Sequence, residues 1–390
     1  EQAMKFHGAF IFSLLFSMSV FAQKYDVVEQ KSKDGKFTYK TITNDPLNTR
    51  IYKLKNGLTV MMSPNKREPR LQTMIATRAG SKNDPADNTG LAHYLEHLLF
   101  KGTDKIGTKD FAKENIELDK IEALYTQYNQ TADSLSRDRV YHQIDSISGV
   151  AAQYAIASEY EVMISALGAK GLNAFTGSEQ TVYINDLPQN EMEKWLKTEG
   201  ERFRNPILRL FHTELEVVYE EKNRGLDNDG RKVNEALFRG LYRNHPYGTQ
   251  TTIGTIEHLK NPSITKIKKY YETYYVPNNM AIILAGDFDM DQTITLVDQY
   301  FGYMPTKEIP TFTFKSEEER NQPTEITVLG PEAENVTIGF RLPGAGSKEA
   351  LILEIADGLL SYNNAGLIDL NLVKQQKILN GYSTYWSQKD

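Results

Sequence analysis

The spacing of apolar and polar residues divides the first part of the chain into short strands and a helix. Alternating or β-prone runs cover residues 50–54, 58–63 and 71–79, and the Asn56-Gly57 pair between the first two runs is typical of a hairpin turn. From residue 90 to 100 the apolar positions change to helical spacing, and Gly102 follows where a helix would end. We therefore expect a β-hairpin, a third strand and then a helix.

The middle of the chain has mainly helical periodicity. Residues 110–168 contain two helical runs separated by a polar break at 129–138, which predicts a helical hairpin with charged outer faces. Residues 173–185 are rich in polar β-formers and are strand-like, whereas residues 280–285 form the continuous apolar run of a buried strand. Further helices are predicted at residues 189–204, 213–242, 263–275 and 291–301.

These elements predict an α+β fold, with a sheet of mostly antiparallel strands flanked by helices. The main domain is expected at 48–302, with the helical hairpin, about 111–158, as an insertion and the polar residues 23–47 as a loose leader. Three prolines and a charge cluster indicate a linker at 303–324. After it, strand-like runs at 325–329 and 335–341 and a helix at 348–360 predict the incomplete start of a second α/β domain at 325–390.

The N-terminal residues have the pattern of a signal peptide. Met4-Lys5 gives a positive start, residues 9–22 form an apolar run broken only by serines, and Val20-Phe21-Ala22 is typical of a cleavage site. A retained membrane anchor is the alternative, but the run is shorter than the roughly 20 residues that span a bilayer. We expect residues 1–22 to be cleaved and the protein to be periplasmic or secreted.

Composition excludes several classes of site. Lys+Arg 45 against Asp+Glu 51 gives a net charge of -6, which provides no basic surface for nucleic acid. Cysteine is absent, so disulfides, thiolate ligands and cysteine nucleophiles are excluded. A transition-metal site in this chain has to use His, Asp and Glu.

A metal-binding pattern lies in the first predicted helix. His93 and His97 are four residues apart, so their imidazoles project from one face of a helix and suit two positions on a tetrahedral zinc ion. Glu96 is close enough to take a proton from a zinc-bound water of pKa about 7 without ligating the metal itself. This is the H-x-x-E-H arrangement. The alternative is a pair of surface histidines on an amphipathic helix.

The third ligand is sought in the acidic helix that begins near residue 213. Glu214 and Glu221 are two helical turns apart and share a face with apolar residues, where a carboxylate is costly unless it is paired or bound to metal. Glu216 and Glu220 point to the opposite, solvated side. We therefore choose Glu221 as the ligand over Glu220. Glu214 is either a catalytic acid near the metal or a favourable charge at a helix N-terminus.

Several ordered motifs resemble the pitrilysin/insulinase family of zinc peptidases, which includes insulin-degrading enzyme and the mitochondrial processing peptidase. The likeness covers about residues 51–304, with weaker similarity from residue 325 onward. The motifs are HYLEH (93–97), LLFKGT (98–103), NAFTGSEQTVY (173–183), ELEVVYEEKN (214–223), HPYGTQTTIGT (245–255) and YYVPNNMAIILAGDF (274–288).

This resemblance implies a function and a set of roles. His93, His97 and Glu221 would bind one zinc ion per chain, Glu96 would be the general base, and Glu214 matches a further acid of the family. The strand Asn173, Ala174, Phe175 and Thr176 would be an exposed edge to which a peptide substrate adds by β-pairing, while residues 182–185 could belong to an interior strand. The spacing from His97 to Glu221, 221 − 97 = 124 positions, is longer than is usual in the family, and the helical insertion at about 111–158 explains the difference.

The expected activity is therefore that of a zinc metalloendopeptidase acting on extended peptides or unfolded polypeptides. Family enzymes close a chamber from two similar halves, so a second homologous half or a partner subunit is the expected partner, with no role for nucleic acid. The alternative is a non-catalytic peptide-binding or scaffold subunit of the same fold. Other histidines have structural interpretations: His212 and His258 are expected at the surface or in caps, and His245 in a turn.

Overall fold

A computed structural model describes residues 25–389, and the predicted signal peptide at 1–22 lies outside this part. The strands are β1 (Val27–Lys31), β2 (Thr38–Ile42), β3 (Arg50–Lys53), β4 (Thr59–Pro64), β5 (Arg70–Thr77), β6 (Lys170–Thr176), β7 (Thr181–Pro188) and β8 (Met280–Gly286). The α-helices are α1 (Leu91–Leu98), α2 (Phe111–Gln130), α3 (Ser134–Ala152), α4 (Glu159–Ala166), α5 (Met192–Arg202), α6 (Phe211–Leu226), α7 (Asp229–Leu241), α8 (Pro246–Thr249), α9 (Ile256–Leu259), α10 (Ile264–Tyr274), α11 (Met290–Phe301) and α12 (Lys348–Ser361).

The eight strands form one sheet in the order β1-β2-β3-β4-β8-β5-β7-β6. Every neighbouring pair is antiparallel except β4 and β8, which run parallel. The predicted fold of a mostly antiparallel sheet flanked by helices is therefore confirmed. The order leaves β1 and β6 at the two edges, and the edge formed by β6 lies beside the candidate site.

Alternation of side chains gives the sheet its buried face. Along β5, Leu71, Thr73, Ile75 and Thr77 are buried while the residues between them are less so. β5 pairs with β7 on one side and β8 on the other, so its backbone groups are satisfied along its whole length. α1 packs against β6 and β7 at the β6 end of the sheet and also contacts α6 and α10.

The expectation that residues 23–47 form a loose leader is wrong in its local structure. Residues 27–42 contain β1 and β2, which extend the sheet beyond β3. Tyr39 anchors this extension, since its ring lies 5.1 Å from that of Tyr52 and 4.4 Å from the Arg50 guanidinium carbon. A single buried aromatic among polar residues gives little periodicity, which is why the pattern did not predict strands here.

The helical prediction is confirmed for the insertion and needs correction elsewhere. α2 and α3 pack on one another as the predicted hairpin. The single helix predicted at 213–242 is instead two, α6 and α7, because Asn228 lies outside helical geometry and its side chain accepts a hydrogen bond from the Arg231 backbone N–H. The strand-like segment 173–185 is likewise two strands, β6 and β7, with residues 182–185 in the interior strand β7.

The C-terminal part of the described chain forms less regular structure than predicted. The strand-like runs at 325–329 and 335–341 make no ladder, since no strand within residues 25–389 lies beside them, whereas the predicted helix is present as α12. α12 has no fully buried residue, and Leu351, Ile355 and Leu359 are each more than 60% exposed. The boundaries of the leader, main domain, linker and second domain stay predictions. Within residues 25–389, no helix combines the length and the apolar character that crossing a bilayer requires.

Candidate metal centre

The H-x-x-E-H segment lies in α1, as the pattern predicts. His93 and His97 project from the same face, and their ring centroids are 4.9 Å apart in an edge-to-face arrangement. On the opposite face Leu91, Leu95 and Leu98 are buried in the core. This packing fixes the rotation of the helix about its axis, so both imidazoles face away from the core.

The start of α1 is fixed by a buried carboxylate and two glycines. Asp84 accepts hydrogen bonds from the backbone N–H groups of Gly90, at 2.7 Å, and Ala92, at 2.9 Å. Burial raises the pKa of Asp84 to about 8, and these backbone hydrogen bonds act in the opposite direction. Gly90 and Gly254 both have positive φ, and a Cβ on Gly90 would lie 2.7 Å from the Ile253 carbonyl oxygen. The 245–255 motif therefore supports the first turn of α1.

Helix α6 brings the acidic residues to the histidines. Glu221 Oε2 lies 3.6 Å from His93 Nε2 and 3.8 Å from His97 Nε2. Glu216 and Glu220 are exposed on the other side of α6, as predicted. The helix starts at Phe211, two residues before the predicted start, after Leu210 in a left-handed conformation. Its first turn is held to α1 by a hydrogen bond from the Tyr94 hydroxyl to the Phe211 carbonyl.

The donor set fits a tetrahedral divalent metal ion. One ligand atom from each of His93, His97 and Glu221 lies within 4.8 Å of the others, and this is the only such group within residues 25–389. Tetrahedral bonds of about 2.0–2.2 Å place ligand atoms about 3.4 Å apart, close to the His–Glu distances here. Burial, and then the neighbouring His97 and Arg231, lower the pKa of His93 to about 3, so the imidazole is neutral at pH 7, the form that a metal ligand requires.

Glu96 lies beside this group without belonging to it. Its carboxylate accepts a hydrogen bond from the Thr176 hydroxyl at the end of β6. Burial raises the pKa of Glu96, while the Thr176 hydrogen bond and the nearby His97 oppose that effect. The arrangement leaves a partly desolvated carboxylate, held by one hydroxyl, next to the three converging ligand atoms.

Glu214 contacts His97 from the side away from Glu221. Its Oε2 atom lies 3.6 Å from His97 Nδ1, and its Oε1 atom lies 2.6 Å from Lys101 Nζ. Burial alone would raise the pKa of Glu214, but His97 and Lys101 together hold it below its usual value. Of the two interpretations left open, the acid near the metal fits this contact, since Glu214 faces a histidine rather than only the helix N-terminus.

The strand named from the family resemblance lies at an open edge. β6 pairs with β7 on one side only, with Phe175 opposite Val182 and Thr176 opposite Thr181. Asn173 and Phe175 are exposed, and Ala174 and Thr176 are half-buried toward α1. One row of backbone N–H and C=O groups on residues 173–176 is therefore available for a further strand.

Four parts of the site were not found by sequence reasoning. These are Asp84 at the start of α1, the Thr176–Glu96 hydrogen bond, the Lys101–Glu214 contact, and the position of His212. The expectation of a surface or capping role for His212 is wrong, since it is buried and its Nδ1 lies 2.9 Å from the Tyr125 hydroxyl of the insertion. The last three depend on segments far apart in the chain, so no local pattern reveals them. Asp84 lies six and eight residues before the N–H groups that it binds, which is farther than an ordinary helix cap.

Two family models match separate parts of the chain. The family model described as "Insulinase (Peptidase family M16)" matches residues 59–136, which include the whole of α1. A second model, described as "Peptidase M16 inactive domain", matches residues 263–389. The chain belongs to the M16 peptidase family. The resemblance inferred from the motifs is thereby confirmed.

Individual M16 relatives are distant, and the chain spans only part of each. It is 23% identical over 333 residues to the zinc protease PqqE of Helicobacter pylori, covering 83% of this chain and 64% of PqqE. It is 25% identical over 272 residues to the mitochondrial-processing peptidase subunit beta of Saccharomyces cerevisiae, covering 69% of this chain and 48% of that subunit. The crystal structure of a Helicobacter pylori protease superposes with a TM-score of 0.65 at 20% identity, covering 88% of this chain and 72% of that one.

Proposed function

We propose that this M16 chain is a zinc metalloendopeptidase that hydrolyses extended peptides or unfolded polypeptides. One observation carries the proposal: His93, His97 and Glu221 offer converging ligand atoms within 4.8 Å of one another, while the neighbouring Glu96 stays outside that group. Three protein ligands leave a fourth position open, as a catalytic rather than a structural zinc site requires. A spare carboxylate next to the open position is the group that peptide hydrolysis needs.

The residues take distinct parts in the proposed reaction. A zinc ion held by His93, His97 and Glu221 would polarise the scissile carbonyl and lower the pKa of a water molecule toward neutrality. Glu96 takes the proton of the attacking water and later transfers it to the leaving amine. Thr176 holds the Glu96 carboxylate in place through its hydroxyl.

The open edge of β6 supports the proposed class of substrate. An extended peptide added beside residues 173–176 would form main-chain hydrogen bonds without regard to its side chains. Since Thr176 contacts Glu96, a peptide paired along this strand lies next to the proposed general base. Folded proteins mostly cover, shorten or blunt the edges of their sheets, so unfolded or flexible segments are the expected substrates.

Metal content and peptide cleavage, measured on the same preparation, test the proposal. We expect about one zinc per chain, and cleavage that a chelator abolishes and zinc restores. Glu96→Gln should retain the zinc and lose about 100-fold or more in kcat, because a general base contributes 10²–10⁴-fold. A Glu96→Gln variant that cleaves at the wild-type rate would remove Glu96 from the mechanism.

A non-catalytic peptide-binding or scaffold subunit is the second candidate. It is favoured by the match of residues 263–389 to a domain described as inactive. However, the H-x-x-E-H helix lies outside that match and inside the insulinase match. Zinc without cleavage in the assay above, together with binding of an unfolded polypeptide, would support the scaffold interpretation.

We also propose a partner and a location. A second homologous half or a partner subunit would close a chamber over the β6 edge, and this is consistent with the chain spanning 64% and 48% of the two relatives described above. Export to the periplasm or the medium rests on the signal-peptide pattern of residues 1–22. N-terminal sequencing of the mature protein tests the cleavage after Ala22.

A further inference from the structure

Lys101 lies three residues beyond the end of α1 and makes a shorter contact to Glu214 than His97 does. Its Nζ atom is 2.6 Å from Glu214 Oε1, and the other carboxylate oxygen is 3.6 Å from His97 Nδ1. The side chains are enclosed, with 15% of Lys101 and 11% of Glu214 exposed. An ammonium, a carboxylate and an imidazole therefore lie in sequence, and the imidazole presents its Nε2 atom to Glu221.

The backbone of Lys101 is held independently of this contact. Arg209 Nη1 donates to the Lys101 carbonyl at 2.6 Å, and the Arg209 guanidinium also pairs with Glu114 of α2 in a fully buried ion pair. Gly102, with a φ of 92°, turns the chain directly afterwards. Lys101 therefore extends from a fixed segment, and little backbone freedom has to be lost to place its ammonium.

The two histidines differ in what holds their second nitrogen. His97 Nδ1 faces Glu214, whereas His93 Nδ1 is buried without a hydrogen-bond partner in the described part of the chain. A carboxylate beside the second nitrogen of a ligating histidine fixes its tautomer and ring orientation. The orientation of His97 therefore depends on where the Glu214 carboxylate lies.

The carboxylates of Glu214 and Glu221 lie at the two nitrogens of one imidazole, Nδ1 and Nε2 of His97. Like charges in a partly desolvated site repel, and within residues 25–389 Lys101 is the only Lys or Arg side chain paired with Glu214. Removing the ammonium leaves the Glu214 carboxylate free to rotate away from His97. We propose that Lys101 is a positioning residue that fixes Glu214, and through it His97, for zinc binding and catalysis, an inference that rests on the proposed zinc peptidase function.

Four variants of the full chain test this role through zinc affinity and kinetics. Lys101→Met and Glu214→Gln should each weaken zinc binding about 10- to 100-fold, measured by competition with a chromogenic chelator, as expected for an outer partner of a ligating histidine. Lys101→Arg should recover most of that affinity. Because Lys101 acts through Glu214, the double variant should bind zinc within about twofold of Glu214→Gln alone.

A matched control separates the positioning role of Lys101 from a general effect of removing a lysine. Lys105 is four residues away with a 64% exposed side chain, and Lys105→Met should match wild type in zinc affinity and kcat. If Lys101→Met does not fold, the double variant, which leaves no unpaired Glu214 carboxylate, still provides the comparison with Glu214→Gln. When Lys101→Met and Glu214→Gln are saturated with zinc, we expect the kcat of each to fall with little change in KM.

The possible outcomes are distinct. Wild-type affinity in Lys101→Met, or a double variant much weaker than Glu214→Gln, overturns the positioning role while the zinc peptidase proposal stands. A wild-type chain that binds no zinc overturns the proposed function and this inference together. Loss of affinity in Lys101→Met that Lys101→Arg restores, with no added loss in the double variant, supports the positioning role.

Discussion

At the scale of single residues, spacing along a helix was sufficient to select side chains that converge in the structure. The helix face that each residue occupies favours Glu221 over Glu220, and the family resemblance implies the same choice. In the structure Glu220 is exposed and pairs with Arg224, whereas Glu221 meets both histidines. Their functional roles stay predictions, and these adjacent glutamates offer a direct test.

We expect Glu221→Gln to lose zinc and Glu220→Gln to retain it. The amide of glutamine carries no negative charge, so the third ligand is removed with almost no change in shape. Metal analysis after gel filtration, with cleavage measured in parallel, compares the two variants on one helix. Full zinc occupancy in Glu221→Gln would direct the search for the ligand to Glu214.

Thr176 shows what residue patterns cannot reveal. The motif at residues 173–183 predicts only a substrate strand, because nothing in the sequence shows that the end of β6 meets α1. In the structure the Thr176 hydroxyl donates a hydrogen bond to Glu96. We expect Thr176→Val to keep zinc and to lower kcat about 10-fold, because that is roughly the effect on the rate of losing one hydrogen bond to a charged group. Thr176→Ser keeps the hydroxyl and should stay near wild type. Equal kcat in the valine and serine variants would argue against a role for this hydrogen bond.

At the scale of elements, periodicity predicted most helices but not their ends or their partners. The pattern at 213–242 continues through a break that only Asn228 signals, and β2 carries too few apolar residues to be recognised. The insertion was predicted as a hairpin with no known role. In the structure Glu114 of its first helix, α2, forms a buried ion pair with Arg209, which lies just before α6. Arg209 also donates a hydrogen bond to the Lys101 carbonyl just after α1, so the pair links α2 to the segments next to both helices of the candidate metal centre.

Glu114→Gln tests this support. The change leaves the buried Arg209 guanidinium without its counter-charge, and breaking such a pair costs about 3–5 kcal/mol of unfolding free energy. Urea denaturation of the zinc-free chain measures the loss. Lys113→Gln, on the exposed side of the same turn of α2, should leave the denaturation midpoint unchanged. Equal midpoints for the two variants would show that the insertion does not support the site through this ion pair.

At the scale of the whole molecule, local patterns predicted the fold class but not the topology. The parallel pairing of β4 with β8 joins residues more than 200 positions apart, and no local pattern encodes it. The strand-like runs after residue 325 pair with no strand within residues 25–389, although β1 and β6 each have a free edge. A local pattern of apolar residues therefore does not by itself produce a strand. The candidate metal centre has the same long-range character, since α1 and α6, which contact one another, are separated in the chain by the helical hairpin, by β6 and β7 and by two further α-helices.

Zinc binding should therefore stabilise the fold as a whole. The ligand atoms converge only in the native state, so zinc at 100 times its dissociation constant should add about 2.7 kcal/mol to the free energy of unfolding. We expect the melting temperature of the chelator-treated chain to rise on adding zinc, and to keep rising with its concentration. Glu221→Gln should have a melting temperature that zinc does not change, whereas Glu220→Gln should respond as wild type does. A zinc-dependent rise of equal size in Glu221→Gln would mean that the metal binds elsewhere, and the convergence of α1 and α6 would then need another explanation.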